Sequence, residues 1–127
     1  MRRLTIDVPA GDYAIAKLPS GTSLPALPTS DGLVSITSTP DEISMVALAS
    51  VMPAEAKVDE GWRLLTVRGP LEFTLTGIMA SLAGSLAAAG VPLYALSTYN
   101  TDHILVKAAD LDRAVSALRE AGHEVHP

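Results

Sequence analysis

Apolar positions follow two different rhythms along the chain, and the second half is the more regular. "WRLLTV" (Trp62–Val67) is a short apolar run that predicts a strand. "RGPLEFTLTG" (68–77) carries Gly69 and Pro70 as breakers and predicts a loop. "IMASLAGSLAAAG" then repeats apolar residues at helical spacing. Ile78, Leu82 and Leu86 recur every four positions, and Met79 and Ala83 widen the stripe. Thr76 is placed to cap this helix, and Gly90, with Pro92 just beyond it, to end it. "VPLYALSTY" and "HILVK" predict two strands joined by a tight polar turn. Leu111, Ala114, Val115 and Leu118 give the spacing i, i+3, i+4, i+7 of a second helix. Asp110 and Asp112 open that helix, where its dipole favours acids. Arg119 lies in its last turn, Gly122 ends it, and "HEVH" predicts a short closing strand. The order β-α-β-β-α-β is the ferredoxin-like arrangement.

The first half alternates more often than it spirals. "YAIAKL", "GLVSITST" and "ISMVAL" predict strands. Between the first two, residues 19–32 hold three prolines, which rules out a regular helix. "ASVMPAEAKVDEG" predicts a short helical turn followed by a linker. There is also an internal echo: "LVSITSTPDEISMV" (33–46) resembles "LYALSTYNTDHILV" (93–106). Both predict strand, Ser/Thr-rich turn with an acid, strand. The first half therefore reads as a reduced copy of the second, and the expected division is 1–58 and 59–127, within an α+β fold.

With 127 residues the chain holds one domain by length, or two very small ones sharing a core. Hydrophobic residues make up 48%, which is ample for a core. Aromatics are only 4%, so Ala, Leu, Val and Ile carry the packing. The net charge of −5, with no basic stripe, argues against nucleic acid as a partner. The absence of cysteine removes disulfides, thiol chemistry and thiolate metal ligands. No apolar segment follows Arg2 and Arg3, so no signal peptide is expected. Residues 73–101 carry no charge, but Gly90 and Pro92 break the run well short of the roughly 20 apolar residues of a membrane span. The expectation is a cytoplasmic protein with no membrane segment.

Catalytic constellations are sparse. His123 and His126 have H-x-x-H spacing, but on a strand i and i+3 point to opposite faces, so no metal is expected. No serine sits in a G-x-S-x-G elbow, and 68–77 is neither a dinucleotide fingerprint nor a phosphate loop. Acylphosphatases share the element order, and Arg68 and Asn100 echo their arginine and asparagine. Their arginine, however, stands at the helix entrance, which here is Leu75-Thr76-Gly77. The loop 68–77 and the turn 97–102 remain. Free N–H groups at a helix start suit a carboxylate, and Glu72, Thr74 and Thr76 lie beside them. An acid next to N–H donors is what a zwitterion needs. Ala80, Gly84 and Ala88 form a second, small-residue face of the first helix. Either the second helix or a neighbouring subunit covers it.

The strings Gly69-Pro70-Leu71-Glu72-Phe73, Thr76-Gly77-Ile78 and Ser97-Thr98-Tyr99-Asn100-Thr101-Asp102, with Ile104-Leu105-Val106, resemble those of ACT-domain proteins. The type is the small bacterial two-lobed one, similar to the ACT repeats of animal cytosolic arginine sensors. "LVSITSTPDEISMV" resembles the first, degenerate lobe. The resemblance implies a ferredoxin-like ACT lobe preceded by a reduced strand-rich lobe, and a non-enzymatic regulatory protein without cofactor. It implies an amino-acid-like ligand at an inter-lobe or inter-subunit interface. The Ala80-Gly84-Ala88 face, and two small lobes whose sheet edges need covering, predict a homodimer. The ligand-facing positions the resemblance implies are Glu72, Phe73, Thr74, Thr76, Gly77, Ile78, Thr98 and Asp102. A ligand-free dimerisation or scaffolding module for a partner protein is the alternative. Asp102 is then either a ligand-holding acid or a turn acid bonded to its own backbone.

Overall fold

A computed structural model of the chain describes residues 3–23, 26–27, 31–72 and 76–127. In chain order the elements are β1 (Thr5–Asp7), β2 (Tyr13–Pro19), β3 (Ser35–Ser38), β4 (Glu42–Leu48), a 3-10 turn (Ala49–Val51) and β5 (Lys57–Val67). There follow α1 (Ile78–Ala88), β6 (Tyr94–Ser97), β7 (Asp102–Lys107), a 3-10 turn (Ala108–Asp110), α2 (Leu111–Glu120) and β8 (Glu124–His126). The chain divides into two compact units. One is Gly11–Trp62; the other joins Arg63–Pro127 to the N-terminal residues up to Ala10.

In the Gly11–Trp62 unit the strand order is β3-β4-β2-β5, with residues 57–62 of β5 taking part. Every neighbouring pair in it is antiparallel. This is the ferredoxin-like strand order. Among the described residues of this unit no α-helix lies between the strands, and a 3-10 turn follows β4. Alternation along the strands puts Ala16, Met45 and Ala47 on one face. Val34, Ile36, Val51, Met52, Ala56 and Val58 pack against them. The buried Tyr13 accepts a hydrogen bond from the Leu33 N–H at 3.1 Å, which ties the end of the long segment to the strands.

The second unit carries the complete motif and one strand more. Its order is β6-β7-β5-β1-β8. β1 lies antiparallel to β5 and parallel to β8, between two strands that a plain ferredoxin-like sheet would pair directly. One sheet face buries Leu4, Ile6, Val8, Leu65, Val67, Ile104, Val106 and Val125 against Leu82 and Leu86 of α1 and Ala114 and Leu118 of α2. Both helices end in the same way. The Gly90 N–H reaches the Ala87 carbonyl and the Val91 N–H reaches that of Leu86, each at 2.9 Å. In α2, Gly122 reaches Arg119 and His123 reaches Leu118, at 3.0 and 3.1 Å. These are Schellman closures. They require the left-handed φ of 74° at Gly90 and 100° at Gly122.

Four expectations change. The boundary expected at 58/59 moves, because residues up to Ala10 pack with the C-terminal unit. Strand β1 was not anticipated. Strand β5 starts at Lys57 rather than Trp62. Finally, Gly77, left-handed at φ 77°, takes the N-cap place expected of Thr76, and no side chain caps the helix. The small-residue face also resolves: Ala80, Gly84 and Ala88 are exposed, so α2 does not cover them.

His123 fastens β1. Its Nδ1 accepts the Leu4 N–H at 3.1 Å, and the Glu124 N–H donates to the Leu4 carbonyl at 2.9 Å. An accepting Nδ1 must be unprotonated, and burial pushes the ring below the usual histidine range. With the folded value below the unfolded one, the contribution is complete above about pH 6.5 and is lost as the pH falls below that toward the folded value. His123→Asn keeps an acceptor near the Nδ1 position but cannot charge. Its melting temperature should fall less between pH 7 and pH 5 than that of the wild type. Parallel slopes by calorimetry would show that the contact carries no pH dependence.

Candidate functional site

The candidate site lies wholly in the second unit, where the loop after β5 meets the turn between β6 and β7. The two are locked together. The Leu71 N–H donates to the Asn100 carbonyl at 2.6 Å, and Thr101 Oγ1 donates to the Val67 carbonyl at 2.6 Å. Gly69 makes the approach possible: an added Cβ would stand 2.9 Å from the Asn100 oxygen and 3.1 Å from the Thr101 Cβ. The turn closes on itself through Thr98. Its N–H and its hydroxyl both reach the Thr101 carbonyl, at 2.8 and 3.2 Å.

Between these segments opens a recess of about 250 Å3, lined by Leu71, Glu72, Ile78 and the turn residues 97–102. Asp102 begins β7, opposite Ser97 in the strand register, and its Oδ1 accepts the Ser97 hydroxyl at 2.6 Å. Two carboxylates, Glu72 and Asp102, border the recess, and among the described residues no cation does. A recess of this kind favours a positively charged group. The exposed Tyr99, at 80% accessibility, stands at its lip, where an aromatic face is suited to a guanidinium or ammonium. Gly77 carries the first helical carbonyl of α1, which accepts from the Ser81 N–H at 2.9 Å. The N–H groups of the first turn have no partner within the helix, so that end suits an anion.

Of the residues expected to face a ligand, Glu72, Ile78, Thr98 and Asp102 line this one recess. Thr76 and Gly77 are exposed at the start of α1 and are not among its lining. Phe73 and Thr74 lie outside the described residues. Leu71, Ser97, Tyr99, Asn100 and Thr101 also line it and were not among the expected ligand contacts. All but Leu71 belong to the polar turn, and Leu71 neighbours Glu72, so the signal was present in the same strings. His123 and His126 do not converge. The first is buried on Leu4, while the second is half exposed with Nε2 3.4 Å from the Glu124 carboxylate.

The internal echo is real in the backbone but shifted by one residue. In the first hairpin the Thr39 N–H and hydroxyl both reach the Glu42 carbonyl, as Thr98 reaches Thr101. Ser38 pairs with Ile43 there, as Ser97 pairs with Asp102. The acids of the first turn, Asp41 and Glu42, therefore do not correspond to Asp102. Ile43 holds its place.

Two helices on one face of a sheet of this order, with a recess at the first loop, define a ferredoxin-like α+β module. A profile of the ACT domain matches residues 57–120, and the chain belongs to the ACT-domain family, whose members are regulatory modules. It is 34% identical to the cytosolic arginine sensor for mTORC1 subunit 1 of Rattus norvegicus over 104 residues, 80% of this chain and 31% of the sensor. Its human counterpart is 41% identical over 61 residues, 47% of this chain and 18% of that one. The chain thus spans less than a third of the length of these relatives. A crystallised protein from Agobacterium tumefaciens superposes with a TM-score of 0.89 at 36% identity, covering 98% of this chain and 93% of the other. Aspartate kinase from Synechocystis shares the fold at TM-score 0.65 and 18% identity, with 97% of this chain matched to 27% of the kinase. Among the described residues no helix is long and apolar enough to cross a membrane.

Proposed function

We propose that this chain is a non-enzymatic regulatory protein that binds a small amino-acid-like ligand with a cationic side chain in the recess between loop 68–77 and turn 97–102. The observation that carries this is the pair of carboxylates, Glu72 and Asp102, on a recess of amino-acid size with no bordering cation among the described residues. Pockets for drug-sized molecules run from roughly 300 Å3 upward, so a ligand no larger than an amino acid fits. The ligand's ammonium or guanidinium goes to the acids, and its carboxylate to the N-terminal amides of α1. That the relatives are arginine sensors agrees with the charge of the recess. Glu72, Phe73, Thr74, Thr76, Gly77, Ile78, Thr98 and Asp102 remain the proposed contacts, in a cytoplasmic protein.

Titration calorimetry with arginine, lysine, leucine and glutamate tests this. Arginine or lysine should bind with one site per chain, because Ile43 stands where the first hairpin would need its acid. Equal binding of glutamate, or no heat from any of the four at millimolar concentration, would sink the reading in favour of a ligand-free scaffold.

We further propose a homodimer. The exposed Ala80-Gly84-Ala88 face of α1 and the edge strand β6 are both uncharged, and an uncovered edge strand invites pairing. Nothing lies within 4 Å of a Cβ built on Gly84. Gly84→Leu therefore fits the monomer but should shift a sedimenting dimer toward monomer. A wild type that sediments only as monomer at micromolar concentration removes the proposal.

A further inference from the structure

Behind the binding turn, His103 is buried on the sheet face opposite Asp102, since adjacent strand residues point to opposite sides. Its Nδ1 lies 3.0 Å from Thr66 Oγ1 of β5, and its Nε2 lies 3.5 Å from Thr98 Oγ1 of the turn. A threonine hydroxyl has one hydrogen to donate. Thr98 donates its own to the Thr101 carbonyl, so toward His103 it can only accept. Nε2 then carries the ring hydrogen, and Nδ1 accepts from Thr66. A single neutral tautomer satisfies the whole chain from Thr66 through His103 and Thr98 to Thr101. Thr98 also lines the recess. The ring is thus connected to the site through one hydroxyl and through the backbone it shares with Asp102.

We propose that His103 is a positioning residue of the binding turn, and that a proton on His103 and a cation at Asp102 oppose one another. The second clause rests on reading the recess as a cation site. The physical reason is local. A second ring hydrogen at Nδ1 would face the Thr66 hydroxyl and force it to rotate, which breaks the direction of the chain. It would also place a positive charge beside Asp102, where the ligand's own charge is to sit. Burial pushes the His103 ring below the usual histidine range, and the Asp102 charge opposes this. The residues bonded to or paired with His103 from the other elements are uncharged: Thr66 from β5, and Thr98 and Leu96 from the β6 side. A cation that neutralises Asp102 removes what favours the imidazolium. By linkage, the imidazolium weakens the cation by the same factor.

Nuclear magnetic resonance on the full chain decides this in two arms. Without ligand, ring nitrogen shifts should show the Nε2–H tautomer at pH 7.5. As the pH is lowered to 5, the amides of residues 97–102 should move with the His103 midpoint. Asp102→Asn should lower that midpoint. An Nδ1–H tautomer, or turn amides indifferent to the His103 titration, overturns the positioning role. With arginine as probe, the His103 midpoint should drop, and arginine affinity should fall several-fold from pH 7.5 to 5. That fall should be flattened in His103→Gln, whose amide nitrogen reaches the place of Nε2. A ring that stays neutral at pH 5, or bound arginine with equal affinity at both pH values, overturns the opposition and leaves the binding reading intact. Arginine that moves no resonance of residues 71–78 or 97–102 sinks the binding reading and the opposition with it, while the ligand-free arm still decides the positioning role. Should His103→Gln fail to fold, the wild-type and Asp102→Asn titrations carry the test.

Discussion

Asp102→Asn should weaken the binding of a cationic amino acid on the order of tenfold or more, with almost no change in melting temperature. The substitution leaves the Oδ1 acceptor in place, so the Ser97 hydroxyl keeps its partner at 2.6 Å and the start of β7 keeps its register. What disappears is the charge. A hydrogen bond to a charged group is worth roughly 1.5–3 kcal/mol, which converts to about tenfold to a hundredfold in affinity. Substitutions at exposed or half-exposed turn positions usually stay within about 0.5 kcal/mol in stability. If Asp102 is instead a turn acid, the pattern reverses: affinity is unchanged and any loss appears in the melting temperature. Calorimetric titration of arginine into both proteins, beside a thermal scan of each, separates the two. Equal affinities would remove Asp102 from the site.

Gly69→Ala should damage stability and binding together. Gly69 is not among the glycines of positive φ, so its backbone is open to alanine and the cost is steric. The new Cβ would meet the Asn100 carbonyl oxygen at 2.9 Å, the Thr101 Cβ at 3.1 Å and the Leu71 nitrogen at 3.3 Å. The nearest of these is backbone, which cannot swing aside as a flexible side chain can. Relief requires the turn to move away from the loop. That movement stretches the two bonds that join them, Leu71 to Asn100 and Thr101 to Val67. Overpacking of this kind costs roughly 1–3 kcal/mol, which for a chain this size is several degrees of melting temperature. The recess is formed by those same two segments, so ligand affinity should fall too, unlike in a purely structural lesion elsewhere. A melting temperature and affinity equal to the wild type would mean that the loop and turn are not held as closely as described.

Much of this was legible in the pattern of residues. The helices follow from the spacing of Ile78, Leu82 and Leu86 and of Leu111, Ala114, Val115 and Leu118, because a 3.6-residue period leaves one buried stripe. Their ends follow from Gly90 and Gly122, because a Schellman closure needs a residue tolerant of left-handed φ. The strands of the first half follow from alternation. The acid of the proposed site stands out in the sequence as well, since Asp102 lies at the junction of a polar turn and an apolar strand.

Tertiary structure decided the rest. Leu4, Ile6 and Val8 alternate with Thr5 and Asp7, yet a three-residue strand is too short to be assigned from pattern alone. Only its two neighbours, β5 and β8, give its backbone groups partners and draw it across the expected boundary into the other unit. The repeat told of two similar hairpins, but the sequence alignment that made it visible is off by one residue. Register is set by hydrogen bonds between strands, and those put Ile43, not an acid, where Asp102 stands. Histidine shows the same limit. His103 and His123 look alike as letters in a chain. One is bonded through a threonine to the rim of a recess and the other to the amide of Leu4, because contacts between residues 37 and 119 positions apart are made only once the sheet has formed.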